Sequence, residues 1–294
     1  MRLMPVAVLS LVVASLSSLA FAGDIACTVT YRDAGAASVK VALTPRGSTA
    51  VTAATGCCAF VRPRPGTYTL MAQKFIGGTQ VAAIREGVVV VAGAGAPVNI
   101  RLAMVPAVQF SPCIPLKLGN KWVYDEAVAG AHRTRSESVT GTKAVSGVKV
   151  PVVDVTWTGS SDVSKRYWRS EPDGFTMYGE LQGTDMQTWL PWVNVPDYLP
   201  LLFKHATNYT VHHSNGAPDD SCKMEYQFAA FENVTVPAGT FNGCARLAVA
   251  MWKGGVDAGK MIVWFAKGVG IVKQTEIKPG KTVELKLQSY HIVP

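Results

Sequence analysis

CKMEYQFAAFENVTVPAGTFNGCARLAVAMW, Cys222 to Trp252, reads as two extended ribbons joined by one tight reversal. Within it, Val236-Pro237-Ala238-Gly239-Thr240-Phe241 is a strand end, a turn and a strand start, with Gly239 free to take a positive backbone angle. The same grammar runs outward in both directions. Helical periodicity is scarce, whereas period-two alternation recurs between clusters of Gly, Pro, Asn and Asp. In TVELKLQSYHIV, Val283, Leu285 and Leu287 share one face and Glu284, Lys286 and Gln288 the other. RYWRSEPDGFTMYGE places Pro172-Asp173-Gly174 between two strands, a hairpin signal. The expected class is all-β with few short helices: an N-terminal β-sandwich followed by a curved antiparallel sheet or half-barrel.

The chain divides on composition. Residues 1–22 have the parts of a secretory signal: Arg2, an apolar run from Val6 to about Leu19, and Ala20-Phe21-Ala22 as small residues at the cut. Gly23, not a cysteine, follows the expected cut, which argues against lipid modification there. After that cut no stretch is apolar and long enough to make a membrane-spanning helix. The expectation is an exported protein, periplasmic, on the outer surface or secreted. The remaining residues, about 270, suit two domains. Residues 23–104 form the first and 116–294 the second. Between them VPAVQFSPCIP, residues 105–115, is a linker whose three prolines disfavour helix and central strand.

In the first domain, CCAFVRPRPGTYTLMA sets Phe60, Tyr68 and Leu70 on alternating positions around a Pro65-Gly66 turn. Two strands then offer an aromatic and an aliphatic row to one core. An aromatic strand, Pro65-Gly66-Thr67-Tyr68 and the closing pair GVVVVAGAGAPVNIRLAM resemble the carboxypeptidase regulatory-like, transthyretin-like β-sandwich. That resemblance implies a fold and little about function, such modules being mostly non-catalytic. The second domain opens with Pro115 to Tyr124, carries Val236 to Cys244 and closes with Trp264 to Val272. These segments resemble a broad group of poorly characterised bacterial envelope domains, some of them lipoproteins. The shared positions are glycines, prolines and aromatics, which shape turns and cores, so no catalytic residue comes with the likeness.

Charge and cysteines narrow the partners. Lys and Arg number 28 against 20 Asp and Glu, a net +8, and the expected signal removes only Arg2 from that balance. Arg62, Arg64, Arg133, Arg135, Lys165, Arg166 and Arg169 are scattered, with no dense basic run, which argues against nucleic acid. Six cysteines in an exported chain suggest disulfides. Alternation puts Cys58 on the Phe60 face, and Cys27 with Cys58 is the pairing expected to tie the first strand to the core. Cys222 and Cys244 are expected to bridge to each other or to Cys113. No Cys-x-x-Cys occurs, against a thioredoxin-like, zinc-ribbon or haem-attachment site.

Three stretches invite a site. VHHSNGAPDDSC holds His212, Asp219, Asp220 and Cys222, donor types that ligate zinc or copper. Adjacent histidines on a strand point to opposite faces, however, and Ser214 to Asp220 is rich in turn formers. A solvated loop between two strands accounts for every residue there. Nucleophilic chemistry by Cys222 or Cys244 with His205 or His212 as base, and carboxylate pairs drawn from Glu171, Asp173, Glu180 and Asp185, lack any spacing that brings the groups together. MQTWLPWVNVPDYLPLLFKHA, Met186 to Ala206, crowds Trp189, Trp192, Tyr198 and Phe203 among prolines that permit at most a short helical turn after Pro196. It reads either as a rim offering aromatic surface to a ligand or as a segment covering its own core.

The leading expectation is a non-catalytic exported binding or interaction protein without cofactor. Its partner is an apolar ligand, a glycan or another envelope protein, recognised by Trp189, Trp192, Tyr198 and Phe203. Alternatives are a metal-binding protein or hydrolase using the His212–Cys222 loop, and a structural subunit assembling through strand edges.

Overall fold

The computed structural model describes residues 24–44, 48–61, 63–77, 79–91, 97–171 and 174–294. The expected signal peptide lies outside them, as do Arg62, Pro172 and Asp173. The fold is all-β, and the chain separates into two compact units, Met1–Pro106 and Ala107–Pro294.

The first unit contains β1 (Ile25–Tyr31), β2 (Ala34–Gly35), β3 (Lys40–Thr44), β4 (Ser48–Val51), β5 (Cys57–Phe60), β6 (Gly66–Ile76), β7 (Thr79–Val90) and most of β8 (Val98–Gln109). One layer is β2 and β5 on β1, with β8 parallel to β1; the other is β4-β3-β6-β7. The layers join through a short β7–β8 bridge at Val81↔Pro106 and Ala82↔Val105. Ile25, Val29, Leu43, Phe60, Tyr68, Leu70 and Leu102 meet in one core, so the alternation of Phe60, Tyr68 and Leu70 does turn all three inward. Cys27 and Cys58 are direct cross-strand partners, and the Cys27 thiol is hydrogen-bonded to the Cys58 sulfur.

Residues expected as a loop-like linker are partly strand. β8 continues through Pro106 to Gln109, and Ala107–Gln109 pairs with β15 (Tyr198–Pro200). Only then does a 3-10 turn, Ser111–Cys113, interrupt the chain. Pro106 sits where β8 leaves one partner strand for another, a position that tolerates a missing N–H.

The second unit adds β9 (Lys121–Val128), β10 (Ala131–Val145), β11 (Val148–Trp157), β12 (Val163–Glu171), β13 (Gly174–Gln182) and β14 (Asp185–Pro196). After β15 follow β16 (Lys204–His213), β17 (Asp220–Val236), β18 (Gly239–Lys253), β19 (Val256–Ala266), β20 (Gly270–Lys278) and β21 (Lys281–His291). The curved sheet expected from sequence closes completely. Twelve antiparallel strands run β9 to β14, then β16 to β21, and β21 returns to β9 from Val283↔Val128 to His291↔Lys121. Closure gives every barrel strand two neighbours, with the β14–β16 pairing the shortest, from Gln187↔His213 to Leu190↔Thr210. Asn120, fully buried after the turn at Gly119, fastens the β21–β9 seam: its Oδ1 accepts from Val293 N–H at 2.8 Å and its Nδ2 donates to the Pro115 carbonyl at 3.0 Å. The Val236–Gly239 reversal forms as read, with Gly239 at φ 129°.

The proline-rich Met186–Pro196 stretch is strand, not irregular lid. The β13–β14 register jumps from Gly179↔Thr188 to Met177↔Val193, so Trp189 to Trp192 oppose a single residue of β13. Pro191 falls inside this bulge, where no ladder hydrogen bond is asked of it. Gly179 makes the bulge possible: at φ 152°, a Cβ there would lie 2.0 Å from the Gln187 carbonyl oxygen.

Candidate functional site

A barrel of twelve strands is wider than its own side chains fill, and alternation decides what faces the remaining space. The lumen holds a cavity of about 460 Å³, within the range of small-molecule sites. Up-and-down order sets the turns β9–β10, β11–β12, β13–β14, β16–β17, β18–β19 and β20–β21 at one end. The opposite end has a floor. Phe110, Cys113 and Ile114 line the cavity there, and the 3-10 turn is tied down where Gly268 N–H donates to the Pro112 carbonyl at 2.7 Å. Phe110 packs edge-on against Phe265 with centroids 5.6 Å apart, and Trp122 Nε1–H donates to the Val269 carbonyl at 2.6 Å. Burial pushes the Cys113 thiol up to about 12, so it lines the floor as a neutral, apolar group.

The two sides of the lumen differ in chemistry. Met224 and Tyr226 from β17, Leu247 and Met251 from β18, and Met261 and Phe265 from β19 form an apolar wall. Across from it, β9 to β13 present Glu126, Arg133, Arg135, Glu137, Arg166 and Glu180. Glu137 lies between two guanidinium groups, bonded by Arg135 and by Arg166 Nη1 at 3.0 Å. Burial pushes its carboxyl up, but Arg135 and Arg166 outweigh burial and hold it below the usual carboxylate range. Burial likewise lowers Arg166, and raises the enclosed Tyr124 hydroxyl, which faces Glu137. Nearer the turns, Glu126 accepts from Arg133 Nη2 at 2.9 Å and from Trp157 Nε1. Arginine and tryptophan stack in pairs, Arg133 over Trp157 at 5.1 Å and Arg166 over Trp168 at 5.0 Å. Arg135 is almost wholly enclosed, yet its Nε finds no acceptor among the described residues. The arrangement is a pre-ordered ion network set against hydrocarbon, able to orient an amphipathic molecule. Its central carboxylate, Glu137, is held ionised by Arg135 and Arg166 and is a poor proton acceptor.

Sequence placed the aromatic surface elsewhere. Of the four aromatics singled out, Trp189 lines the lumen, beside Tyr209 at 5.7 Å. Trp192 turns away into a second small core with Tyr178, centroids 4.5 Å apart, and Val145, Val150 and Tyr167. Tyr198 is half-buried in β15, and Phe203 packs against the main barrel core. The segment is wall and core, not a rim.

The His212–Cys222 segment is a set of clasps at the turn end. His212 Nδ1 meets Asp219 at 2.7 Å on the surface. His213 meets Asp185 at 2.7 Å through Nδ1 and Asp220 at 3.0 Å through Nε2, and Asp220 also receives Lys253 at 2.6 Å. Asp185 further accepts the Ser214 backbone N–H at 3.1 Å. Hydrogen bonds to these carboxylates raise His213, and those donated by His213 and Lys253 lower Asp185 and Asp220. Cys222 hydrogen-bonds Tyr209 instead of joining the histidines. Among the described residues no group of three His, Cys, Asp or Glu converges on a point that would hold a metal ion. Cys222 lies opposite Lys253 and Cys244 opposite Glu232, nine residues apart along β18. That is about 30 Å, far beyond disulfide reach, so the two cannot bridge each other. The charged lumen wall went unread in the sequence. Its one visible trace is HRTRSESV, in which Arg133, Arg135 and Glu137 occupy alternate positions of a strand.

Residues 203–290, β16 to β21, match the DUF3108-like family. Two solved structures are similar at low identity. A candidate lipoprotein of Parabacteroides distasonis is 13% identical, with TM-score 0.37, over 61% of this chain and 98% of its own. A candidate exported protein with a YmcC-like fold from Bacteroides fragilis is 12% identical, with TM-score 0.33, over 60% of this chain and 98% of its own. A comparison with curated proteins finds no match.

Proposed function

We propose that this protein is an exported, non-catalytic binding protein that takes a small amphipathic molecule into the lumen of its barrel. One observation carries the reading: a cavity of about 460 Å³, floored by the Phe110–Ile114 segment, has hydrocarbon on one side and a buried arginine–glutamate network on the other. A barrel that needed only stability would fill that space with apolar side chains, because replacing buried ion pairs by packed hydrocarbon is often neutral or stabilising. Export rests on the signal-like residues 1–22.

The reading is tested with the neutral apolar dye N-phenyl-1-naphthylamine. The full chain is expected to enhance its emission, saturably. Leu247→Trp and Met251→Trp, which fill the lumen from β18, should each weaken binding by about tenfold or more, as lost cavity volume excludes the ring. Ile277→Trp, on the exposed face of β20, should leave it unchanged. Thermal melts by circular dichroism accompany each variant. Failure of the parent protein to bind, or full binding by both folded lumen variants, overturns the proposal.

A further inference from the structure

Resting on that reading, we infer that the lumen ligand is a single-chain amphiphile whose head group is an anion, the chain lying along the β17–β19 wall and the head against Arg133, Arg135 and Arg166. Size limits the chain. A volume of 460 Å³ equals about fifteen waters at ~30 Å³ each, hence a molecule of roughly fifteen to twenty non-hydrogen atoms. The inward residues of β9 run from Trp122 near the floor to Val128 near the turns, about 20 Å of strand. One medium alkyl chain fits this slot, whereas the two chains of a phospholipid exceed it.

Charge selects the head. Three guanidinium groups face the lumen from β10 and β12 against two enclosed carboxylates, Glu126 and Glu137. Glu180, directly across the β12–β13 pair from Arg166, accepts from Gln182. At the turn end Lys278, paired with Glu276 at 2.8 Å, and Lys281 add positive charge. The count therefore leans positive, five cations to four carboxylates. Arg135 Nε is a buried donor with no acceptor among the described residues, in a residue that lines the cavity. An anionic head satisfies this excess; a cationic head meets two indole-stacked guanidinium groups, and the carboxylates they accompany, Glu126 and Glu137, are already held by arginine. Guanidinium forks accept carboxylate and phosphate alike, so both head chemistries belong to the inference.

The experiment displaces the same dye with dodecanoate, dodecyl phosphate, dodecyltrimethylammonium and dodecanol, all below their micelle concentrations, and with a diacyl phosphatidylglycerol. The two anions are expected to compete about tenfold more tightly than the alcohol, the scale of one charge-assisted hydrogen bond, with the cation weakest and the diacyl lipid inert. Comparing dodecanoate with dodecyl phosphate separates the two anionic sources. Arg135→Gln should erase most of the anion's advantage, and the half-exposed Arg133→Gln, which leaves the Glu137 cluster intact, should reduce it. Equal competition by anion, alcohol and cation overturns the anionic assignment while leaving the lumen site standing. Saturable dye binding that no amphiphile displaces overturns the ligand class. Absence of dye binding to the parent protein defeats the lumen reading itself.

Discussion

Two ionic clusters occupy the barrel, and they are built for different conditions. One sits inside, where Glu126 is held by Arg133 from β10, and Glu137 by Arg135 of its own strand and Arg166 of β12, both carboxylates nearly inaccessible to water. The other sits among the turns, where His213 bridges Asp185 and Asp220 in reach of solvent. The inner cluster consists of Arg and Glu, whose charges are fixed at neutral pH. The outer one turns on an imidazole, the side chain whose charge changes there. Enclosed charges are costly to strand and hard to switch; exposed ones are cheap to lose and easy to switch. The inner cluster is thus suited to a permanent site, and the outer one to fastening three hairpin ends together.

The largest effect should come from stranding charge inside. Glu137→Gln removes the carboxylate shared by Arg135 and Arg166 and leaves two guanidinium groups without their counter-ion. The expected loss is about 3–5 kcal/mol of unfolding free energy, the cost of breaking an enclosed pair from one side. Urea denaturation monitored by tryptophan fluorescence measures it. A loss below about 1 kcal/mol would mean that water already reaches this layer and that the lumen is not the enclosed environment described above.

A smaller effect, one of pH, distinguishes the outer cluster. His213 is raised by Asp185 and Asp220, so its contribution is complete below the unfolded histidine value of about 6.5 and fades as pH rises through the raised folded value. Asp185 and Asp220 are lowered, so theirs is complete above about 3.9 and fades as pH falls through the lowered folded values. The clasp is fully formed between those limits. Urea midpoints should therefore be higher at pH 5.5 than at pH 8, with part of that difference gone in His213→Asn. Glu137, also lowered, contributes a loss only on the acid side and cannot mimic this. An unchanged pH difference in the variant would remove His213 from the account.

What the sequence made legible follows from the range of each interaction. Strands, their faces and the Val236–Gly239 reversal depend on neighbours two to six residues away, and they read correctly. Closure of the barrel depends on β21 meeting β9, well over a hundred residues apart, and a curved open sheet is what local pattern alone implies. The site was hidden for the same reason. Arg133, Arg135 and Arg166 look scattered in the chain, and strand pairing brings Arg135 and Arg166 to Glu137 and Arg133 to Glu126. The prolines at 191 and 196 suggested irregular backbone because a bulge that accommodates Pro191 depends on Gly179 of the opposing strand. VHHSNGAPDDSC offered a metal reading beside the solvated loop that accounts for it. Its donors are close in sequence because they line a turn, and the fold sends His212 and His213 to different carboxylates.

The smallest expected effect isolates burial as the deciding variable. His212 and His213 are adjacent, belong to the same strand end and each bond an aspartate at 2.7 Å. Side-chain exposure separates them: 44% and 50% for His212 and Asp219, against 12% and 14% for His213 and Asp185. An exposed pair of this kind exchanges one hydrated partner for another, and salt screens what remains. His212→Asn should change the urea midpoint by no more than about 0.5 kcal/mol equivalent at either pH, and should leave the pH 5.5 to pH 8 difference intact. If His212→Asn instead abolished that difference and His213→Asn preserved it, the pairing geometry at the turn end would be reversed from that described. Contact distance would then say nothing about which histidine fastens the hairpins.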